Sequence, residues 1–310
     1  MLQSAYQHTV KTAVRISGLG VHSGTPATMT IKPAPAHAGI TFIRTDVRDR
    51  PNLVPARWDA VTDTRLCTVL SNASNVTVST VEHILSACAA LGLDNAAIEI
   101  DGPEVPIMDG SAQPFVAAID TAGLMAQNAA RRVIRILKPV TFKDSDKQAV
   151  LMPAPSRVFS FEIDFATPLI GRQKYTHEVR EATYRNDIAS ARTFGFLHEV
   201  EALRKMGLAR GGSLDNAIVI DGDKVMNPDG LRFKNEFVRH KILDALGDLY
   251  LAGAQIIGHY YGLRAGHAMN NKLLGAMFAR PDCYEIIEPA KVTTRTGTAR
   301  STAIPAMATA

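Results

Sequence analysis

The chain alternates between stretches of period two and stretches of helical period, and it does so twice. In the first part, residues 9–16, 27–31 and 40–43 carry alternating or β-branched runs that predict strands. Val81, Ile84, Leu85, Cys88 and Leu91 then recur at helical spacing, predicting a helix over about 80–92. A strand over 95–100, a turn-rich stretch over 101–110 and a second helix over about 112–122 follow. Residues 126–132 (Ala-Gln-Asn-Ala-Ala-Arg-Arg) lose the patterning and are the best candidate for a linker.

The second part repeats the theme. Strands are predicted over 133–140, 149–151 and 159–165, the last alternating as Phe159, Phe161, Ile163, Phe165. Residues 184–216 read as irregular. A strand over 217–220, a long helix over 236–251, a strand over 255–261 and a helix over 269–279 complete the pattern. Each half therefore reads as strands, helix, strand, helix. This is an α+β chain of two similar domains, 1–127 and 132–292, each with a sheet face seeking a partner, and a frayed tail over 293–310.

The helix over 236–251 carries an unusual stripe. At 100° per residue, His240, Asp244 and Asp248 fall within about 80° of one another, opposite Val238, Ile242, Ala245, Leu246, Leu249 and Tyr250. An imidazole and a carboxylate four residues apart can grip one divalent metal, or can simply be a surface pair. Upstream, Glu82 and His83 supply a second carboxylate and a second histidine. Ser79-Thr-Val-Glu82 also fits a capping box, which would explain the glutamate but not the histidine after it.

Composition narrows the setting. The 310 residues are 46% hydrophobic with a mean hydropathy of +0.01, as in a globular protein long enough for two cores. No run of 18 apolar residues and no standard export signal are visible, so neither secretion nor a membrane span is expected. Three cysteines (Cys67, Cys88 and Cys283) without a CxxC argue against a disulfide framework and for a reducing cytoplasm. The net charge of +4 is scattered, apart from Arg131-Arg132 and residues 291–300. It suits an anionic small molecule and at most a peripheral contact with an anionic membrane, while nucleic acid is a poor fit.

Three protein ligands and one open position make a hydrolytic metal site, and His83, His240 and Asp244 fit that set. Glu82, beside a ligand, is placed as general base. His267, in a glycine-flanked loop just before a helix, is a candidate proton donor that Asp248 can orient. The alternative is an incidental loop histidine. Thr193, in Ala-Arg-Thr-Phe-Gly-Phe, is either an ordinary β-branched residue or a hydrogen-bond donor to a developing oxyanion. Phe194 and Phe196 line an apolar channel or pack a core. His8, His22, His37, His177, His198 and His259 have no carboxylate at helix spacing and read as structural.

Five motifs occur in order: Thr80-Val-Glu-His83, Gly102-Pro-Glu-Val-Pro-Ile-Met-Asp-Gly-Ser111, Ala191-Arg-Thr-Phe-Gly-Phe196, Arg239-His-Lys-Ile-Leu-Asp-Ala-Leu-Gly-Asp248 and Gly266-His-Ala-Met-Asn-Asn-Lys272. With Ser17-Gly-Leu-Gly-Val-His-Ser-Gly24, they make residues 7 to about 279 closely resemble the UDP-3-O-acyl-N-acetylglucosamine deacetylases, zinc amidases of lipid A biosynthesis in Gram-negative bacteria. The resemblance implies two α+β domains with their helices sandwiched between two sheets and the site at their junction. It implies zinc, or alternatively ferrous iron, on His83, His240 and Asp244, with Glu82 as base, His267 as donor or cationic stabiliser, Asp248 orienting it, Thr193 polarising the acetamide and Lys241 beside the site. Glu82 alone or Glu82 with His267 would handle the two proton transfers.

A segment over about 194–216 would form the acyl passage, with Phe194, Phe196 and the Leu203/Leu208 region as walls and Leu66 and Cys67 beside it. Two positions depart from the family pattern. Arg264 stands where a lysine near the diphosphate is common, and Arg65 occupies a place often apolar. The resemblance further implies a monomer acting on a UDP-linked acylated glucosamine. The rival readings are a zinc hydrolase of another amide class, such as a peptidase, and a metal-free binding module.

Overall fold

The computed structural model describes residues 4–288, so the predicted tail over 293–310 and the basic stretch over 291–300 lie outside the described residues. The fold is α+β and contains one strand plan used twice. In the first half, Val14–Leu19 pairs antiparallel with Pro26–Pro33, which pairs antiparallel with Ala96–Ile100. Ala96–Ile100 runs parallel to Ile40–Arg44, which pairs antiparallel with Leu53–Pro55. In the second half, Val140–Asp144, Lys147–Met152, Gln255–Leu263, Arg157–Asp164 and Arg172–Glu178 repeat that order and those directions. Val133–Ile136 and Tyr284–Ile287 extend the second sheet beside Gln255–Leu263.

In each half a helix precedes the central strand and another follows it. Helix α1 (Glu82–Leu91) and helix α2 (Gln113–Ala122) serve the first sheet. The second half adds α3 (Glu181–Asp187) and α4 (Leu197–Lys205), then α5 (Glu236–Tyr250) and α6 (His267–Phe278), which serve the second sheet.

Helices α1 and α5 pack along each other at the centre of the molecule. That position explains their burial. Every residue of α1 is buried, and in α5 only Arg239 and Lys241 are not. A helix buried on every side belongs between layers rather than on a surface. Hence α5 is not the one-sided helix its sequence suggests, because its polar stripe faces α1 instead of water. Gly247 makes the approach possible: a Cβ there would overlap the backbone carbonyl of Glu82 and sit 3.0 Å from its Cα. Phe42, Ile98, Phe161, Phe237 and Leu243, all fully buried, belong to one continuous core.

Several local expectations are corrected. The proposed linker over 126–132 is mostly strand: Leu124–Ala130 pairs with Tyr6–Val10. Arg131 beyond it is fully buried, its guanidinium on Asp94 and on the carbonyl of Gly92. Alternation is weak there because the ribbon is held by backbone and by Arg131 rather than by an apolar face. The single strand expected over 9–16 breaks at Lys11-Thr12-Ala13, and that over 133–140 breaks at Leu137-Lys138-Pro139. The irregular region over 184–216 contains part of α3, the strand Phe194–Phe196 and α4. Helix α4 has no buried residue; Val200 and Leu203 of its apolar side line a cavity instead of a core. Among the described residues no helix is long and apolar enough to cross a membrane.

Candidate metal centre and catalytic site

The site forms where the start of α1, the middle of α5 and the start of α6 meet. Helix α1 begins at Glu82, so Glu82 and His83 occupy its exposed-amide end, yet both are buried at 3%. The capping-box alternative is not realised. The Glu82 carboxylate instead accepts the amide of Thr68 at 3.0 Å, and Ser79 gives its hydroxyl to the carbonyl of Pro103.

From α5, Asp244 Oδ1 stands 3.3 Å from His240 Nε2 and 3.7 Å from His83 Nε2. The two imidazoles meet edge to face with centroids 5.0 Å apart. One ligand atom from each of the three lies within 4.8 Å of the others. The donor set fits a divalent ion for three reasons. Burial, with His240 nearby, holds the His83 imidazole down at about 3, so it is neutral and free to act as a ligand. Burial lowers His240 as well. Asp244 is held as a carboxylate because His240 and Lys241 outweigh its burial. The His83 nitrogen that faces Asp244 is Nε2, while its Nδ1 is buried on the far side of the ring without a partner among the described residues.

The surroundings orient these groups. His240 Nδ1 lies 3.0 Å from the carbonyl of Ala191, which fixes that nitrogen as the N–H and leaves Nε2 for a metal. Lys241 donates to Asp244 Oδ2 at 2.5 Å, so it touches a ligand rather than only flanking the site.

His267 opens α6 with Nε2 3.8 Å from Glu82 Oε1, and its Nδ1 meets Asp248 Oδ2 at 2.8 Å. Burial opposes its charge, but Asp248 and Glu82 prevail and raise it to about 9. Glu82 is pushed up to about 7 by burial against the attraction of His267. Asp248 is itself held by Thr68 Oγ1 at 2.6 Å and Asn270 Nδ2 at 2.8 Å.

A cavity of about 180 Å³ opens beside Glu82. Leu66, Thr193, Phe194, Phe196, Val200 and Leu203 are among its lining residues. Thr193 is fixed through its backbone to Gly110 and Ile218, and its hydroxyl has no partner among the described residues. Leu66 is half exposed with φ of +66°. Cys67 is buried behind it, and neither Cys67 nor Leu208 is among the residues that line the cavity. Burial pushes the Cys67 thiol up, keeping it protonated. Arg65 is exposed on Asp63. Arg264 is outside the lining, engaged by Asp146 and, at 2.5 Å, by Asp164.

The family model for UDP-3-O-acyl N-acetylglycosamine deacetylase matches residues 7–279. The chain belongs to this family. It is 52% identical over 281 residues to a UDP-3-O-acyl-N-acetylglucosamine deacetylase of Phenylobacterium zucineum, covering 91% of this chain and 96% of that one. Its likeness to proteins of the same name from Myxococcus xanthus (49%, covering 93% and 91%) and Shewanella halifaxensis (48%, covering 91% and 92%) is comparable.

Sequence reading missed Thr68, which ties Glu82 and Asp248 together, because a lone threonine in a turn gives no signal. It also set His22 aside, yet His22 lines the cavity. Glu104 accepts the backbone amides of His22 and Ser23, and burial, with His267 adding to it, lowers the His22 imidazole.

Proposed function

We propose that this chain hydrolyses the N-acetyl group of a UDP-3-O-acyl-N-acetylglucosamine, releasing acetate and the free amine. The observation that carries the reading is the convergence of His83, His240 and Asp244 next to a buried carboxylate and a buried histidinium, at the mouth of an apolar cavity. The donor set suits zinc, with ferrous iron as the alternative. When bound, the ion would polarise the acetamide carbonyl and acidify water.

The chain's own residues supply the rest. Glu82, with a proton affinity close to neutrality, takes the proton of the attacking water. His267 is a cation at neutral pH and faces the same space, so it gives a proton to the departing nitrogen. Asp248 holds its ring in that orientation. The Thr193 hydroxyl donates to the carbonyl oxygen as negative charge grows there. Lys241 keeps Asp244 ionised. Phe194, Phe196, Leu203 and Leu66 take the acyl chain, and an apolar hollow suits that chain better than an extended peptide, which needs backbone hydrogen-bond partners.

Arg264 would reach a diphosphate only by releasing Asp146 or Asp164. We take the chain to work as a cytoplasmic monomer with at most peripheral membrane contact and no nucleic acid. Its three buried free cysteines suit a reducing compartment.

Glu82→Ala tests the assignment: the purified variant should keep its metal and lose acetate release. Full turnover in that variant would overturn the proton path.

A further inference from the structure

Four acidic or imidazole residues, not three, lie along one side of α5. Glu236, His240, Asp244 and Asp248 recur every four residues, and Glu236 is fully buried at the first turn. Its carboxylate accepts three bonds from Arg192: the backbone amide at 3.0 Å, Nε at 2.9 Å and a terminal nitrogen at 3.2 Å. It accepts a fourth from the amide of Arg232 at 2.6 Å. The same terminal nitrogen of Arg192, Nη2, also donates to the carbonyl of Gly230 at 2.7 Å.

Arg192 sits between two residues that act in the site. The carbonyl of Ala191 accepts the N–H of His240 at 3.0 Å, and Thr193 carries the free hydroxyl. The segment around it is strapped elsewhere too, through Ala189 to Ala112 and through Ser190 to Arg232. A buried ion pair is a weak source of stability compared with apolar packing, which leaves room for a positioning role here.

We propose that the Arg192–Glu236 pair is a positioning clamp. It fixes the 191–193 segment to the same helix that carries His240 and Asp244. The distance from the metal ligands to the Thr193 hydroxyl, and the ring orientation of His240, are thereby tied to that helix in addition to the backbone bonds of Thr193 to Gly110 and Ile218. Neither residue touches substrate. Both act through Ala191 and Thr193. The inference rests on the proposed site, and accounts for why a fork-shaped cation stands at position 192: a lysine would keep the charge but could not reproduce the paired Nε and Nη2 bonds to Glu236.

The test uses the metal-loaded full chain and two variants, Arg192→Lys and Glu236→Gln, each checked for folding by circular dichroism. Acetate release should fall about 10–100-fold in kcat, as for other partners that orient metal ligands, with KM changed less than about twofold. The visible absorption of the cobalt-substituted protein should shift in both, reporting a changed His240. In a Thr193→Val background, Arg192→Lys should cost less than it does in wild type. Folded variants with a lowered melting temperature but unchanged kcat and unchanged cobalt spectrum would overturn the clamp. The cobalt spectrum does not depend on which amide is cleaved, so a wrong substrate assignment would show as absent acetate release in wild type while the spectral arm still decides the clamp.

Discussion

The two halves share a strand order but use their insertions in opposite ways. In the first half, the connection between the last sheet strand and α1 forms a small sheet of Val61–Asp63, Val69–Ser71 and Thr77–Val78. In the second, the equivalent connection to α5 holds α3, α4 and a small sheet of Phe194–Phe196, Ile218–Asp221 and Lys224–Val225. The first contributes Thr68, whose amide and hydroxyl pin Glu82 and Asp248. The second contributes apolar walls and one free hydroxyl at Thr193. One scaffold therefore presents a polar brace on one side of the metal centre and a hydrophobic receptacle on the other. The following helices diverge likewise, since α6 opens on His267 where α2 opens on Gln113.

That contrast predicts unequal sensitivities. Changes on the braced side should affect turnover most. His267→Ala should slow acetate release by roughly two to four orders of magnitude with metal content unchanged; a rate near wild type would remove it from the proton path. Its pH behaviour sharpens the point. A group raised to about 9 stays protonated through neutrality, so kcat should fall as pH rises through that value. Because the folded-state affinity exceeds the unfolded one, the associated stability is complete below the ordinary histidine range and is lost as pH climbs through about 9. Asp248→Asn removes the largest favourable influence on that proton, so the alkaline limb should move to lower pH. A limb that stays in place would separate His267 from it.

The contact between the two central helices should come next. Gly247→Ala drives a methyl into the Glu82 carbonyl, and overpacking of this kind costs about 1–3 kcal/mol. A melting curve should show the loss, and turnover should fall as Glu82 is displaced. Unchanged values of both would mean that the helices can separate freely.

On the receptacle side the effects should be smallest. Phe196→Ala removes one wall of the cavity, which should raise KM for a long-acyl substrate about 10-fold or somewhat more while leaving kcat within a few-fold. A fall in kcat instead would mean that the wall also supports the catalytic groups.

Much of this division was legible in the sequence, and the reasons for the rest are physical. The four-residue spacing of His240, Asp244 and Asp248 is visible because a helix turns its period into proximity. The same rule would have added Glu236, whose buried carboxylate looks from sequence like an ordinary first-turn acid. The convergence of α1 on α5 leaves no local trace except Gly247, since contact between distant segments is written in packing and not in periodicity. Helix α4 spans only nine residues and turns Val200 and Leu203 to a cavity rather than a core, and the strand over Leu124–Ala130 is held by backbone pairing and Arg131.

One metal on His83, His240 and Asp244 should be required for amide hydrolysis. Stripping the metal with a chelator and titrating zinc back while acetate release is followed tests it directly. Activity should be absent from the stripped protein and rise linearly to a plateau near one equivalent per chain. Full turnover in the stripped protein would contradict the account.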